Sequence, residues 1–308
     1  MNVSKVQVLL STYNGEKYLK EQLDSLLAQD YPNIDILIRD DGSKDSTKQI
    51  LTGYENHKNI SVIYGSNIGV TASFLELLKV SDPGAEFFAF CDQDDVWLKD
   101  KISRAVAALQ KHPSDIPLMY CSRFTIVDEA LRIMGYSKSP RKELSFNNAL
   151  CQNVIPGCTM IINRIAKKRV IDMPMVIDRI VMHDAWLYLV VSAFGSIVYD
   201  DQSRILYRQH GANVCGEQVN LAEKFLIKVK RFFRRERFKS KIFADQAVEF
   251  RRLYGAQLSP QNAKLLEDFI ESRKTFTQRL WYAIKGETYR QSLIDDALYK
   301  LLIIVNLV

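Results

Sequence analysis

The 308-residue sequence has few of the features that mark disulfide-rich, zinc-binding or membrane-spanning proteins. Its five cysteines are odd in number and contain no CxxC pair, which argues against a disulfide framework and a structural zinc site. No apolar run approaches the roughly 20 residues that span a bilayer, and the longest, Leu301–Val308, is too short. No signal-peptide pattern precedes the first apolar run. We therefore expect a reducing, cytoplasmic location.

Positive charge is concentrated in one part of the chain. The formal net charge is +6, yet residues 223–252 alone hold eleven Lys or Arg against four Asp or Glu, a formal charge of +7. The rest is close to neutral, so this basic segment bears on location and not on chemistry. With 47% hydrophobic and 25% charged residues, the composition is that of a globular protein with a sizeable core.

Strand-like and helix-like patterns alternate over the first 125 residues. Apolar runs predict buried strands at Val6–Leu10, Ile34–Ile38, Ile60–Tyr64 and Phe87–Cys91. Apolar side chains at helical spacing lie between them. This alternation predicts an α/β fold, a mainly parallel sheet with helices on both faces. Beyond it, we expect a helix that opens near Asp184 and a helical chain after Asn220.

Polar and acidic residues follow three of these strands directly. They are Ser11 to Gly15 after the first, Asp40 to Ser43 after the second, and Asp92 to Asp95 after the fourth. Sheets of this kind bind ligands beyond the carboxyl ends of their strands. The sequence therefore predicts one ligand site at that edge.

Three carboxylates crowd the loop after the fourth strand, at Asp92, Asp94 and Asp95. Neighbouring carboxylates repel one another unless a cation lies between them. Hard oxygen ligands suit Mg²⁺ or Mn²⁺, which also bind substrate phosphates. We predict a divalent-metal site here, the alternative being a solvated acidic loop or a helix N-cap.

The acidic pair Asp40 and Asp41 follows the second strand. A carboxylate there can accept hydrogen bonds from a pyrimidine base or from ribose hydroxyls. The alternative is a tight Asp-Gly turn that leads into a helix.

Together, the segments Val8–Asn14, Arg39–Ser43 and Asp92–Trp97 resemble the nucleotide-binding half of family 2 glycosyltransferases, which have the GT-A fold. The blocks FCDQDDVW, IPGCTM, MHDAW and YRQHGAN further resemble the rhamnosyltransferases that build rhamnose-rich cell-wall polysaccharides in streptococci. The family resemblance covers about residues 5–215.

This resemblance implies roles for individual residues. Ser11, Thr12 and Tyr13 would line the base and ribose pocket, Asp41 would contact the base, and Asp40 would hold that loop. Asp92, Asp94 and Asp95 would hold the metal and the ribose-diphosphate.

Asp184 stands where family members carry the aspartate that faces the donor. An inverting displacement needs one base to remove the proton of the acceptor hydroxyl, and it needs no carboxylate nucleophile. The alternative is that Asp184 simply caps its helix. The neighbouring His183 is a weaker candidate for the acceptor side of the site.

Arg208 and His210 are candidates to assist the leaving diphosphate. An arginine can bind phosphate oxygens with two parallel hydrogen bonds, and His210 could complete the metal shell or orient a phosphate. A structural role is the alternative for each.

Four further residues are candidates for contact with a sugar. Gly157 would let the backbone approach a sugar closely, although an ordinary turn explains it nearly as well. Cys158 beside it is expected to pack and not to act as a nucleophile. Trp97 and Trp186 could stack on sugar rings or pack in the core.

Apolar and basic residues interleave in Lys224–Arg237. This pattern is typical of an amphipathic helix on an anionic membrane surface. A dimer-forming helix is one alternative, and nucleic-acid binding is disfavoured because no nucleic-acid fold accompanies the segment.

The sequence thus predicts a GT-A catalytic domain over residues 1–215 and a helical, basic region over 216–308 that associates with a membrane or forms a homodimer. We expect transfer of L-rhamnose from dTDP-β-L-rhamnose to a lipid-linked oligosaccharide at the inner face of the plasma membrane. The alternatives are another nucleotide sugar in capsule or exopolysaccharide synthesis, or a non-catalytic scaffold on the same fold. A nucleotidyltransferase would need a basic, glycine-rich loop where this chain has STYNGEK.

Overall fold

A computed structural model describes residues 3–209 and 242–307. They form two compact units. The first comprises residues 3–139, 155–172 and 195–209, and the second comprises residues 140–154, 173–194 and 242–307. His210, Cys215 and the basic segment Lys224–Arg237 lie outside the described residues.

The first unit contains two sheets. Its strands are β1 Val6–Thr12, β2 Ile34–Asp40, β3 Ile60–Tyr64, β4 Phe87–Cys91, β5 Val96–Trp97, β6 Leu118–Ser122, β7 Thr125–Val127, β8 Ile133–Tyr136, β9 Ile161–Asn163, β10 Ser196–Asp200 and β11 Ile205–Arg208. Seven of them form the larger sheet in the order β10-β6-β9-β4-β1-β2-β3. Only β9 runs antiparallel to its neighbours in that sheet, which confirms the predicted mainly parallel sheet.

Helices cover both faces of the larger sheet. The helices of this unit are α1 Leu19–Leu27, α2 Thr47–Thr52, α3 Val70–Val80, α4 Lys101–Leu109 and α6 Arg164–Ile171, with α5 Phe146–Ala149 in the second unit. Ala89 of β4 belongs to a buried cluster with residues of α1 and α4. The next side chain, Phe90, points the other way and meets Phe74 of α3, with 5.9 Å between ring centroids.

The four-stranded sheet has the order β5-β11-β7-β8. Strand β11 pairs antiparallel with β5, where Leu206 lies opposite Val96, and parallel with β7. The sequence did not predict this sheet, because a two-residue strand such as β5 has too few side chains to show an alternation.

Strand β1 lies between β2 and β4, which are both parallel to it. The chain proceeds from β1 to β2 and β3 on one side of β1, and β4 then pairs on the other side. The strand order therefore reverses at β1. The loops after β1, β2 and β4 leave the sheet at the same edge, where parallel α/β sheets place their ligands.

The second unit is helical. Besides α5 it contains α7 His183–Phe194, the helical residues 242–254 (α8), α9 Pro260–Glu271, α10 Phe276–Lys285 and α11 Leu293–Ile304. The first nine residues of α7 are all buried, so this helix is the centre of the unit. Helix α9 is capped by Ser259, whose Oγ accepts a hydrogen bond from the Asn262 backbone N–H at 3.2 Å. Among the described helices, none combines the length and the apolar character that crossing a membrane requires.

Candidate active site

The loop after β1 is bound to the acidic loop by the side chain of Gln93. Its Oε1 accepts hydrogen bonds from Thr12 Oγ1 at 2.6 Å and from the Tyr13 backbone N–H at 2.8 Å. Its Nε2 donates to the Tyr13 carbonyl at 3.2 Å. A Cβ at Gly15 would lie 2.5 Å from Gln93 Oε1, so a side chain there would displace the Gln93 amide from this position. The sequence placed Gln93 inside the acidic motif but assigned it no role.

The residues predicted for the base and ribose pocket lie together at the end of β1. Ser11 Oγ is 2.6 Å from Ser73 Oγ of α3. Thr12 is buried against Gln93, whereas the Tyr13 side chain is exposed. The Tyr13 ring is therefore accessible to solvent, while Gln93 holds the backbone of this residue; its predicted contact with a base or ribose stays a prediction.

Asp40 shapes the loop that follows β2. Its fully buried carboxylate accepts the Ser43 backbone N–H at 3.2 and 3.3 Å. Gly42 has a φ of 81°, in the left-handed region, and a Cβ there would lie 2.9 Å from the Asn67 backbone nitrogen. The Asn14 backbone N–H donates to Ser43 Oγ at 2.9 Å, so this loop also holds the loop after β1.

Asp41 is buried and accepts hydrogen bonds from both sides. It pairs with the Arg39 guanidinium, and its two oxygens accept the backbone N–H groups of Ile68 at 2.9 Å and Gly69 at 3.0 Å. Asp41 thereby connects β2 to the start of α3. The base contact predicted for Asp41 stays a prediction.

Two of the three clustered carboxylates converge with a thiol. One oxygen each of Asp92 and Asp95 and the sulfur of Cys158 all lie within 4.8 Å of one another. Asp95 is fully buried, and its Oδ1 accepts the Arg208 backbone N–H at 3.2 Å. Burial, together with the charges of Asp94 and Asp92, raises the pKa of Asp95 well above its ordinary value.

These residues fit a hard divalent cation. Oδ2 of Asp95 is buried and has no nitrogen or oxygen partner among the described residues, so it is available as a ligand. Carboxylate oxygens are the ligands that Mg²⁺ and Mn²⁺ prefer. The sulfur of Cys158 is a soft ligand, which suits Zn²⁺ or Cu⁺ better than these hard ions. Asp92 and Asp95, not Cys158, are therefore the better ligands.

The buried side chain of Arg208 supports the acidic loop. Its Nε donates to the Asp94 carbonyl at 2.9 Å, and its other nitrogens donate to the Glu129 carbonyl and the Glu21 carboxylate. The guanidinium carbon lies 4.5 Å from the centroid of the Tyr18 ring. This geometry gives Arg208 a positioning role, and its predicted contact with phosphate stays a prediction.

A buried lysine lies behind the acidic loop. Lys101 Nζ is 3.6 Å from the centroid of the Trp97 ring, and both side chains are buried. Burial lowers the pKa of Lys101 to about 8. The sequence did not single out Lys101, because nothing in its spacing distinguishes it from an exposed lysine at the start of α4.

Gly157 and Cys158 belong to a buried helical turn, Gly157–Thr159, which leads into β9. The Thr159 backbone N–H donates to the Pro156 carbonyl at 3.0 Å and closes this turn. The turn places Cys158 beside Asp95. The predicted sugar contact of both residues stays a prediction.

The remaining predicted residues lie in the second unit, in the first turns of α7. Asp184 Oδ1 accepts the backbone N–H of Ala185 at 2.7 Å. His183 is buried, and burial lowers its pKa. Trp186 is fully buried, with 5.8 Å between its ring and that of Phe250, the position of a core side chain. The chemical roles predicted for these residues stay predictions.

Comparison with known proteins agrees with this geometry. The sequence profile of "Glycosyl transferase family 2" matches residues 7–169. The dTDP-rhamnosyl transferase RfbG of Shigella flexneri is 30% identical over 234 residues, which are 70% of this chain and 76% of that protein. An uncharacterized glycosyltransferase of Rickettsia typhi is 28% identical over 227 residues, 71% of this chain and 69% of that protein.

Solved structures share the fold. The crystal structure of residues 1–349 of TarS from S. aureus has a TM-score of 0.60 at 20% identity and covers 99% of this chain and 81% of its own. The mannosyltransferase PcManGT from Pyrobaculum calidifontis, in complex with GDP-Man and Mn²⁺, has a TM-score of 0.53 at 16% identity. The match covers 98% of this chain and 88% of PcManGT. These similarities confirm the predicted GT-A fold with helices at the C-terminus. The matched residues 7–169 include the loops after β1, β2 and β4. The chain therefore belongs to glycosyl transferase family 2.

Proposed function

We propose that this glycosyltransferase moves L-rhamnose from dTDP-β-L-rhamnose, with inversion, to a lipid-linked saccharide in bacterial cell-wall polysaccharide (rhamnan) synthesis. The observation that supports the proposal best is the meeting of three polar loops where the strand order reverses at β1. The choice of sugar is supported by the similarity to the dTDP-rhamnosyl transferase RfbG and by the narrower sequence resemblance.

In this proposal the first unit binds the nucleotide. Ser11, Thr12 and Tyr13 line the base and ribose pocket, and the exposed Tyr13 ring offers a surface for the base. Asp40 holds its loop through Ser43. Asp41 contacts the base, or it acts by fixing the segment before α3 that it already binds.

Mg²⁺ or Mn²⁺ would be held by Asp92 and Asp95, with Asp94 and His210 as the further predicted ligands. Such an ion neutralises the charge of a leaving diphosphate. Two other residues would position the loop that binds this ion. Gln93 joins the acidic loop to the loop after β1, and Arg208 donates a hydrogen bond to the backbone carbonyl of Asp94.

Asp184 is the proposed general base. It would take the proton from the acceptor hydroxyl as that oxygen forms its bond to the anomeric carbon and the bond to the diphosphate breaks. Its place in the first turn of α7, with one oxygen held by Ala185, gives the carboxylate a fixed direction. The residues proposed on the acceptor and sugar side are His183, Trp186, Trp97, Gly157 and Cys158.

Residues 1–215 are proposed as the catalytic domain, and residues 216–308 as the region that meets an anionic membrane or a second copy of the chain. The location proposed is the inner face of the plasma membrane, where a lipid-linked acceptor is available. The formal charge of +7 over residues 223–252 supports attraction to anionic lipid.

The test is nucleoside diphosphate release from a panel of nucleotide sugars with a rhamnose-terminated, lipid-like acceptor. We expect release from dTDP-rhamnose alone, dependent on Mg²⁺ or Mn²⁺ and abolished by EDTA. Turnover of another donor would agree with the proposed mechanism but would contradict the assignment of rhamnose as the transferred sugar.

The control for this test is Asp184→Asn, which keeps the shape of the side chain but cannot accept the proton. It should lower kcat by about a hundredfold or more and leave dTDP binding unchanged. Turnover at the wild-type rate would remove Asp184 as the base. Donor binding without turnover in both proteins, across all acceptors, would favour the scaffold alternative.

A further inference from the structure

Helix α10 shows an apolar face to solvent. Phe276, Leu280, Trp281 and Ile284 are 58%, 40%, 55% and 69% exposed. At 100° per residue they fall within a sector of about 140° on one side of the helix. Soluble proteins rarely leave a contiguous apolar patch of this kind uncovered.

The opposite face and one flank of α10 are firmly held, so the exposed face is not that of a loose helix end. Tyr282 is buried and its hydroxyl lies 2.7 Å from Thr288 Oγ1. Arg279 Nε donates to the Ile304 carbonyl of α11 at 3.2 Å. A capping box of Thr275 and Gln278 fixes the first turn.

Helix α11, which packs against α10, repeats the pattern. Leu293 and Ile294 are both 73% exposed, and Leu301 and Val305 are exposed on the same side of the helix. Its buried side is formed by Tyr299, Leu302 and Ile303. Two neighbouring helices of the second unit thus each expose an apolar stripe; we call the two together the α10–α11 apolar surface.

Cations border this surface on α10. Around the helix, Arg279 lies about 60° from Phe276 on one side, and Lys285 lies about 40° from Trp281 on the other. Helix α10 contains no acidic residue. Residues 272–307 together hold six Lys or Arg against three Asp or Glu. Protein–protein interfaces are depleted in lysine, whereas apolar faces with tryptophan, phenylalanine and flanking basic residues are typical of helices that lie in an anionic membrane surface.

We infer that the α10–α11 apolar surface inserts into the headgroup region of an anionic bilayer, with Trp281 and Ile284 among the side chains that enter the acyl boundary. This rests on the proposal that the C-terminal region meets a membrane, and it assigns the inserting residues. It does not depend on which sugar the enzyme transfers.

The tryptophans of the chain allow a direct test. There are three, and Trp97 and Trp186 are buried at 3% and 0% exposure, so only Trp281 can meet a quencher in lipid. The full-length protein is mixed with phosphatidylglycerol vesicles whose acyl chains carry bromine, and the tryptophan emission is measured. We expect loss of the Trp281 share of the emission with brominated vesicles and no loss with unbrominated ones.

Matched variants separate insertion from surface attraction. Trp281→Phe should still float with the vesicles but show no quenching. Leu280→Gln with Ile284→Gln should lower partitioning by at least about a hundredfold, because two large apolar side chains no longer gain from burial in the bilayer. Ile133→Gln, at an exposed apolar site on β8, should bind vesicles like the wild type.

Flotation without quenching of Trp281 would overturn the inference and leave a purely electrostatic membrane contact. The inference would also be overturned if the protein does not bind vesicles but sediments as a dimer, and if Leu280→Gln with Ile284→Gln makes it monomeric. The α10–α11 apolar surface would then be an interface with a second copy of the chain. Neither result depends on donor turnover, so each is distinguishable from failure of the proposed activity.

Discussion

At the scale of single residues, the candidate site combines a buried carboxyl group with a buried amine. Asp95 is buried with a raised pKa, and Lys101 is buried with a lowered one. Both shifts have burial as their largest cause, because a charged group loses hydration in the interior. Buried ionisable groups of this kind cost stability and mark functional positions in many enzymes.

Lys101 gives the sharpest stability prediction. Its pKa is about 8 in the folded chain and 10.5 in the unfolded reference, so the unfolded chain binds more protons between these values and stability rises with pH across this window. At pH 7 the ammonium is charged in both states and the cost, on the order of 3 kcal/mol, is present in full. Lys101→Met should therefore raise the free energy of unfolding by up to about 3 kcal/mol at pH 7, and the gain should shrink towards pH 10.

Urea unfolding at pH 7, 8, 9 and 10 measures this difference, with Lys99→Met at an exposed position as the control. The control should stay within about 0.5 kcal/mol of the wild type at each pH. A destabilised Lys101→Met protein at pH 7 would show that the buried ammonium has a stabilising partner.

At the scale of secondary-structure elements, short segments hold the site together. Strand β11 pairs with β5, whose first residue follows Asp95, and delivers Arg208 to the Asp94 carbonyl. Gln93 then joins the acidic loop to the loop after β1. The long strands provide the edge, and these short contacts fix the position of the acidic side chains along it.

Replacing the Arg208 guanidinium tests this support. Arg208→Lys keeps the charge but cannot serve the Asp94 carbonyl, the Glu129 carbonyl and Glu21 at once. We expect the free energy of unfolding to fall by about 1–3 kcal/mol, because the lysine leaves a buried carbonyl acceptor without its donor, and Mn²⁺ binding to weaken with it. The control is Arg204→Lys, whose partly exposed partner is Asp100 and whose effect should stay below about 1 kcal/mol.

Chemical denaturation measures the free energy of unfolding of both variants, and Mn²⁺ titration measures their affinity for the ion. Wild-type stability of Arg208→Lys, combined with loss of nucleoside diphosphate affinity, would instead support the phosphate contact predicted from the sequence.

The long elements could be predicted from the sequence, and the contacts between loops could not. The apolar runs of β1, β2, β3 and β4 and the periodic faces of α1, α3 and α4 are local patterns that the structure confirms. The sheet formed with β5 depends on partners far apart in sequence, as does the bond from Gln93 to Tyr13. At the start of α2, the side chain that accepts the Thr47 backbone N–H is Asp45, which no helical periodicity identifies.

At the scale of the whole molecule, the chain returns to each unit several times. Residues 140–154 and 173–194 belong to the helical unit although they lie between segments of the sheet unit. Periodicity reports which face of an element is buried but not which partner buries it, so the sequence could not assign these two segments. The nucleotide loops and the acidic loop fall in the first unit, and Asp184 and the α10–α11 apolar surface fall in the second. The proposed boundary near residue 215 stays a prediction.

In the proposed function, the acidic loop holds the metal and the nucleoside diphosphate together. The most direct measurement is calorimetric titration of dTDP into the protein with Mn²⁺ and with EDTA, for the wild type, Asp95→Asn and the control Asp100→Asn outside the loop. We expect the wild type and the control to bind dTDP with Mn²⁺ only, and Asp95→Asn to bind it at least about tenfold more weakly. Binding should tighten as pH rises because Asp95 must lose its proton. Equal affinity in EDTA, or undiminished affinity of Asp95→Asn with Mn²⁺, would contradict it.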